Sequence, residues 1–269
     1  MQSLIDFERH LAHVEEDAQR FSAADPFPHL VVDNFLNESC LDSLLAEFPR
    51  PDAPLAWRRN DAVEGDAVRQ ANKLGFSDER QLGPELRRLI WDLHSADCLK
   101  WLERVTGIEG LIPDPHLAGG GLHQSLPGAV LAVHADFNRH PRLHLDRRLN
   151  LLLFLNPDWQ DEWRGHLELW DRQMTHCVQR IAPQLNRCVV FRTTSDSYHG
   201  HPDPLACPPG VTRKSIALYY YTSPADQSAR DGHGTLWQQR PGDPAPAPQA
   251  SWLRRVASAV KRRLGSKTD

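Results

Sequence analysis

The chain has 269 residues, 40% of them apolar and 25% charged, with a formal charge of −4. That length bounds it to one large domain or two small ones, and the near-average composition places it among globular chains. The small net charge gives no general pull toward nucleic acid, no run reaches the roughly eighteen apolar residues of a membrane span, and the five cysteines are scattered without a CxxC pair. A nucleic-acid partner, a disulfide framework and a cysteine zinc site are therefore not expected, and a reducing cytoplasm fits best.

The opening residues, "MQSLIDFERHLAHVEEDAQRF", mix acids with apolar residues and do not read as a secretory signal. Leu4, Phe7, Leu11, Val14 and Ala18 recur at steps of three and four, which predicts an amphipathic helix over residues 3–20 of an N-terminal segment, 1–24. "PFPHLVVDNFL" predicts a short strand and a turn, and "ESCLDSLLAEF" a second helix. Residues 84–106 open on Pro84, suited to a first helical turn, and continue with helical spacing. The first 110 residues are expected to be mostly helical.

From about residue 115 short apolar runs alternate with Gly, Pro, Asn and Asp: "HLAGGGLHQSL", "GAVLAVHADF", "RLNLLLFLN", "GHLELWD", "THCVQRI", "RCVVFRT", "RKSIALYYYT". Seven or more such strands suggest a barrel or double-sheet jelly roll. The expected fold is thus α+β, a β-core buttressed by N-terminal helices. Residues 224–250, rich in Pro, Ala and Gly, read as a flexible linker. In 251–269, Leu253, Ala257, Val260 and Leu264 share a helical face apart from Arg254, Arg255, Lys261, Arg262 and Arg263. This basic amphipathic tail is a candidate for weak contact with an anionic membrane surface, although a solvated tail is the plainer reading.

His-x-Asp occurs twice, at His134/Asp136 and His144/Asp146. In a strand, residues i and i+2 face one way, so the pattern aims an imidazole and a carboxylate at a common point. The first copy ends an apolar run beside turn residues, at a strand's mouth. The second runs straight into "RRLNLLLFLN" and is expected to be structural, paired with Arg142, Arg147 or Arg148. A third metal ligand is sought in "TTSDSYHGHPDPL", where His199 follows a strand; His201, two residues on, is an alternative ligand or a hydrogen-bonding neighbour. Beyond lie Arg213 and Ser215 on one strand face.

HxD, a distant His, then Arg-x-Ser resembles the 2-oxoglutarate- and Fe(II)-dependent oxygenases, in the branch similar to prolyl 4-hydroxylases. The likeness runs from "PFPHLVVDNFL" to "YYYT", with "LFLNPDW" and "WRGHLELWD" as modified forms of that branch's patterns. It implies a double-stranded β-helix (jelly-roll, cupin-like) core, residues 25–223 as the dioxygenase domain, and His134, Asp136 and His199 as ligands of Fe(2+) in a facial triad. It also implies 2-oxoglutarate and O2 as co-substrates, with ascorbate a candidate reductant. Arg213, assisted by Ser215, would hold the far carboxylate of 2-oxoglutarate, for which a planar guanidinium is suited. Asn150 stands where relatives touch the co-substrate, or is a strand-initiating asparagine. Phe154 replaces a tyrosine of relatives, for whose hydroxyl His123 or Gln124 are candidate substitutes. Tyr219 and Tyr221 share the Arg213 face, Arg164 replaces a glycine and is expected to shape the pocket mouth, and Trp159, Trp163 and Trp170 read as core or rim.

The implied reaction converts 2-oxoglutarate to succinate and CO2 while an unactivated C–H bond of a small-molecule or peptide substrate is hydroxylated. A prolyl or other peptidyl residue is the nearest analogy. A zinc hydrolase with the same ligands and a non-catalytic jelly-roll binding module are the alternatives; the first gives Arg213 no task, and the intact triad speaks against the second.

Overall fold

The computed structural model describes residues 3–59, 61–64 and 67–224; the expected linker beyond Pro224 and the basic tail lie outside the described residues. Its helices are α1 (Phe7–Ala12), α2 (Val14–Ala23), α3 (Leu41–Glu47), α4 (Pro84–Leu93) and α5 (Ala96–Thr106). Its strands are β1 (His29–Val32), β2 (Arg58–Arg59), β3 (Ala62–Glu64), β4 (Ala67–Phe76), β5 (Ile112–Pro113), β6 (Gly121–His134), β7 (Asp146–Phe154), β8 (Leu167–Trp170), β9 (Cys177–Ile181), β10 (Arg187–Arg192), β11 (His199–His201) and β12 (Arg213–Thr222). None of the described helices is long and apolar enough to cross a membrane.

Local chemistry divides the helical region more finely than periodicity predicts. The first expected helix breaks at His13, which ends α1 and begins α2. The 84–106 helix is two, because Ser95 turns extended and its hydroxyl accepts the Cys98 N–H, capping α5 afresh. Helix α4 starts at Pro84, and its free N–H groups at Glu85 and Leu86 both donate, at 3.0 Å, to the Glu47 carboxylate from the end of α3. The larger departure lies between them. Residues 58–76 form a ribbon of strands, with β2 and β3 on β4, and β4 on β6, so the first 110 residues are not mostly helical.

The strands pair in the order β1-β10-β7-β12-β6-β11-β8-β9, with β5 on β12. Alternation assigns each side chain to one face. Leu149, Leu151 and Leu153 of β7, Cys188 and Val190 of β10, and Ile216, Leu218 and Tyr220 of β12 join the helices in the main core. Leu86, Leu89, Ile90 and Leu93 of α4 and Trp101, Leu102 and Val105 of α5 supply the other side of that core. The intervening residues face into the curled sheet, where Phe154, Val189 and Phe191 pack with Phe27, Leu167, Leu169 and Ile181 to close one end. Polar residues line the other end. This is the expected jelly roll with helices on one outer face.

Strand β6 links the sheet's two parts. Its first half pairs with β12 and its last residues with β11, with Pro127 and Gly128 (φ +77°) in between. A second backbone device sits at Arg164, whose φ +60°, ψ −146° belongs to a region that glycine alone occupies without strain. Its side chain is exposed and does not line the cavity described below, so Arg164 fills a glycine conformation rather than shaping a pocket mouth. Arg164→Gly is expected to stabilise the protein by about 1–2 kcal/mol; an unchanged urea midpoint would contradict the strain.

Candidate active site

His134 closes β6, His199 opens β11, and the two are directly opposed in register. Asp136 lies just past β6 and turns back toward both rings. Its Oδ1 is 3.6 Å from His134 Nε2 and its Oδ2 3.4 Å from His199 Nε2, and all three donor atoms lie within 4.8 Å of one another. His134 Nδ1 is 2.9 Å from the Ala132 carbonyl and His199 Nδ1 3.0 Å from the Ser197 carbonyl. A carbonyl can only accept, so each Nδ1 carries the proton and each Nε2 presents its lone pair toward the carboxylate. Such outer hydrogen bonds fix the tautomer that a metal-ligating imidazole needs.

Electrostatics keep the set in ligand form. Burial pushes the His199 imidazole down to about 4, against the attraction of Asp136, so it is neutral at physiological pH. Burial opposes ionisation of Asp136, but His199 and His134, once protonated in acid, and the permanent charge of Arg147 outweigh it and hold the carboxyl well below the ordinary range. Arg147 is buried with its guanidinium carbon 3.4 Å from the Tyr219 ring centroid and 4.4 Å from that of Phe137, and it donates at 2.9 Å to Asp136 Oδ2. Asn150 donates to the same oxygen at 2.6 Å while its own Oδ1 accepts from Arg147 Nε at 2.9 Å. Asn150 thus orients the Asp136 carboxylate. The expected pairing of Arg147 with the second HxD is not what forms: His144 sits in an exposed turn at φ +55°, Asp146 begins β7, and Arg147 is committed to Asp136.

The donors open into a cavity of about 230 Å³ that also exposes Arg213, Ser215, His201 and His123. Arg213 is buried; its Nε donates at 2.6 Å to the Gly165 carbonyl and its guanidinium lies 4.8 Å from the Phe154 ring centroid. Burial pushes it down to about 10, and among the described residues no carboxylate pairs with it. Gly165 (φ +73°) permits this approach, since a Cβ there would sit 3.2 Å from Arg213 Cδ. His201 is fully enclosed with neither ring nitrogen hydrogen-bonded, while His123 Nε2 is 3.1 Å from the Gly119 carbonyl. Gln124 turns away to the Pro49 carbonyl and is not a substitute for the missing tyrosine hydroxyl. Tyr219 lines the cavity, whereas Tyr221 packs on His140; Trp159 and Trp163 meet edge to face in a separate small cluster.

Four cavity residues escape the sequence reading because they belong to the unexpected ribbon: Arg58 of β2 and Gln70, Lys73 and Gly75 of β4. The available signal is alternation in "NKLGF", where Leu74 and Phe76 are buried toward the helices and Lys73 and Gly75 line the cavity. Burial and then repulsion from Arg213 push the Lys73 ammonium down to about 8. Its pKa is lower folded than unfolded, so the charged form penalises the native state below about pH 8, and stability recovers as pH rises from there to the unfolded pKa of about 10.4. Discounting for the open cavity, Lys73→Met should stabilise the metal-free protein at pH 7 by about 1–2 kcal/mol, a gap that closes by pH 10.5. Urea unfolding of both proteins at pH 7 and 10 tests this, and equal stability at pH 7 would contradict it.

A jelly roll carrying two imidazoles and one carboxylate at one end, beside a buried guanidinium that awaits an anion, defines a non-haem oxygenase type of protein. Comparison with known proteins makes this specific. The profile of the 2OG-Fe(II) oxygenase superfamily matches residues 120–221. Prolyl 3-hydroxylase OGFOD1 of Mus musculus is 25% identical over 202 residues, which is 73% of this chain and 33% of that protein. The chain therefore spans about a third of the length of this curated relative. Among solved structures, a Trichoplax adhaerens prolyl hydroxylase in complex with a hypoxia inducible factor peptide aligns with a TM-score of 0.58 at 17% identity, covering 80% of this chain and 93% of that one. SnoN, an alpha-ketoglutarate-dependent epimerase of nogalamycin biosynthesis, aligns at 0.54 and 15%, covering 88% and 97%. Over residues 120–221 the chain is thus similar to the 2-oxoglutarate/Fe(II) oxygenases, an enzyme class that uses Fe(2+), 2-oxoglutarate and O2, and the relatives named are prolyl hydroxylases and a further enzyme of that chemistry.

Proposed function

We propose that His134, Asp136 and His199 hold the iron, that Arg213 with Ser215 anchors the distal carboxylate of 2-oxoglutarate, and that the enzyme hydroxylates an unactivated C–H bond, with a prolyl or other peptidyl residue the nearest analogy. The observation that carries this reading is Arg213: a buried guanidinium without a carboxylate partner among the described residues, facing the same cavity as the three donors. A buried cation is costly unless an anion meets it, and a dicarboxylate reaching from the donors to Arg213 meets that need. A zinc hydrolase using the same three donors would leave Arg213 without a task, and an intact set of donors speaks against a module that has lost turnover. The five unpaired thiols support a reducing compartment.

Iron held there would supply the oxidation in which 2-oxoglutarate, O2 and a substrate C–H bond give succinate, CO2 and the hydroxylated substrate. The chain's own work is positional. His134 and His199 offer pre-oriented lone pairs, and Arg147 with Asn150 holds one oxygen of Asp136 so that the carboxylate cannot swing. Leu131, Leu152, Leu167 and Ala217 give the cavity apolar walls that limit water beside the reacting carbon.

The test is to supply purified protein with Fe(II), 2-oxoglutarate and ascorbate and to measure 2-oxoglutarate binding and succinate release, then to screen peptides, amino acids and glycan precursors for stimulated release and a product heavier by one oxygen. Absence of both binding and release, with His134→Ala indistinguishable from the parent, would sink the reading.

A further inference from the structure

We propose that Lys73, supported by Arg58, forms a subsite for a carboxylate-bearing group of the primary substrate, so that the preferred substrate is acidic next to the carbon that reacts. This deepens the assignment above and rests on it.

The inference starts from the sheet register. Lys73 on β4 lies opposite Ser125 on β6, and Ser125 lies opposite Arg213 on β12. Opposed residues in antiparallel strands point to one face, so Lys73 and Arg213 enter the cavity from the same row, two strands apart. At roughly 4.8 Å per strand their backbones stand about 10 Å from each other. One row on, Gly75 opposes His123 and His123 opposes Ser215. With no side chain at Gly75, the ribbon leaves space over the His123 ring, and Lys73 borders that space.

Charge then separates the two cations. The cavity's one acidic group, Asp136, is already matched by Arg147. Under the assignment above, 2-oxoglutarate gives one carboxylate to the metal and the other to Arg213. Lys73 and Arg58 remain, and neither is paired with an acid among the described residues.

Position decides which ligand they serve. Arg213 is 7% exposed and sits at the floor against Phe154. Lys73 is half-buried on the ribbon, and the exposed members of the lining, Arg58, Gly119 and Phe137, mark the mouth. Lys73 enters from the ribbon, two strands from Arg213, and is left for the group that binds after the co-substrate. A flexible lysine joined by an exposed arginine suits a substrate carboxylate approaching from solvent, while the enclosed fork of Arg213 suits a co-substrate held in one pose.

The probes are three peptides blocked at both ends, Glu-Pro-Gly, Gln-Pro-Gly and Lys-Pro-Gly, titrated calorimetrically under nitrogen into the Fe(II)-loaded full chain with and without 2-oxoglutarate. The parent should bind the Glu peptide roughly tenfold more tightly than the Gln peptide, as one charge-assisted contact provides. Lys73→Met should erase that preference and Lys73→Glu should turn it toward the Lys peptide, while Arg213→Met chiefly costs 2-oxoglutarate affinity. Three outcomes overturn the proposal: no tighter binding of the Glu peptide by the parent, a preference that survives Lys73→Met, or a loss of 2-oxoglutarate affinity in Lys73→Met as large as in Arg213→Met, which would place Lys73 in the co-substrate anchor. Failure of the oxygenase assignment looks different, since the parent would then not bind 2-oxoglutarate, while the peptide series without it still reads Lys73.

Discussion

Replacing Arg213 with methionine is expected to weaken 2-oxoglutarate binding by about a hundredfold or more while making the ligand-free protein more stable. The two signs follow from one fact, a buried guanidinium whose hydrogen-bond partner among the described residues is the Gly165 carbonyl. In the complex, losing the cation leaves a carboxylate buried without its counter-charge, a cost of about 3–5 kcal/mol. In the free protein the same cation is a liability, because burial has lowered its pKa to about 10 and the penalty on the charged form is fully present at every pH below that value. Methionine removes the penalty, keeps much of the packing on Phe154 and forfeits one hydrogen bond, for a net gain of about 1–2 kcal/mol. Calorimetry with 2-oxoglutarate and thermal unfolding with and without it separate the terms, since ligand raises the Tm only of a protein that binds it. Arg213→Lys should restore part of the affinity, because an ammonium neutralises the charge but cannot match a carboxylate with two parallel donors. A methionine variant that binds 2-oxoglutarate like the parent would remove Arg213 from the site.

The parts of this site legible in sequence are those written in strand alternation. His134 and Asp136 could be placed at a strand's mouth because "NRHPR" interrupts an apolar run, and Arg213 and Ser215 share a face simply because they are two apart. Arg147 could not be assigned in the same way. Its nearest acid in sequence is Asp146, yet it reaches Asp136 because the intervening loop folds back: His140 is buried against Asp114 at 3.1 Å, and its other ring nitrogen accepts the N–H groups of Arg142 and Leu143. That partner is 26 residues away, beyond any local pattern. The ribbon carrying Lys73 was missed for a related reason. Residues 58–76 hold short strands whose charged and small side chains face a cavity rather than a core, so the hydrophobic period that reveals buried strands is weak there. Ser95 was a local signal of a new helix start, hidden by leucines that continue the helical spacing on both sides.

Arg147→Met should be the more damaging substitution for the fold, and metal should repair it. Asp136 is 13% exposed at its side chain and relies on Arg147, 0% exposed, for its closest full counter-charge. Removing that cation while leaving the carboxylate costs about 3–5 kcal/mol in a buried pair. In the parent, Asp136 is held below the ordinary carboxyl range, so it contributes stability that is present above the unfolded pKa and fades as pH falls toward the folded one. Without Arg147 that contribution shrinks, and the variant's stability should depend less on pH across the acidic range. A divalent cation at the three donors supplies the missing positive charge from the opposite side of the carboxylate. With Asn150 still holding the carboxylate and no guanidinium competing for its charge, the variant should bind the ion more tightly, so adding Mn(II) or Fe(II) under nitrogen should raise the Tm of Arg147→Met by more than it raises that of the parent. Arg147→Met combined with Asp136→Asn closes the cycle: with no carboxylate left to neutralise, the double variant should be more stable than Arg147→Met alone in the absence of metal and should gain little from its addition. Equal metal-induced shifts in parent and Arg147→Met would show that Arg147 packs between Phe137 and Tyr219 without governing the charge of Asp136.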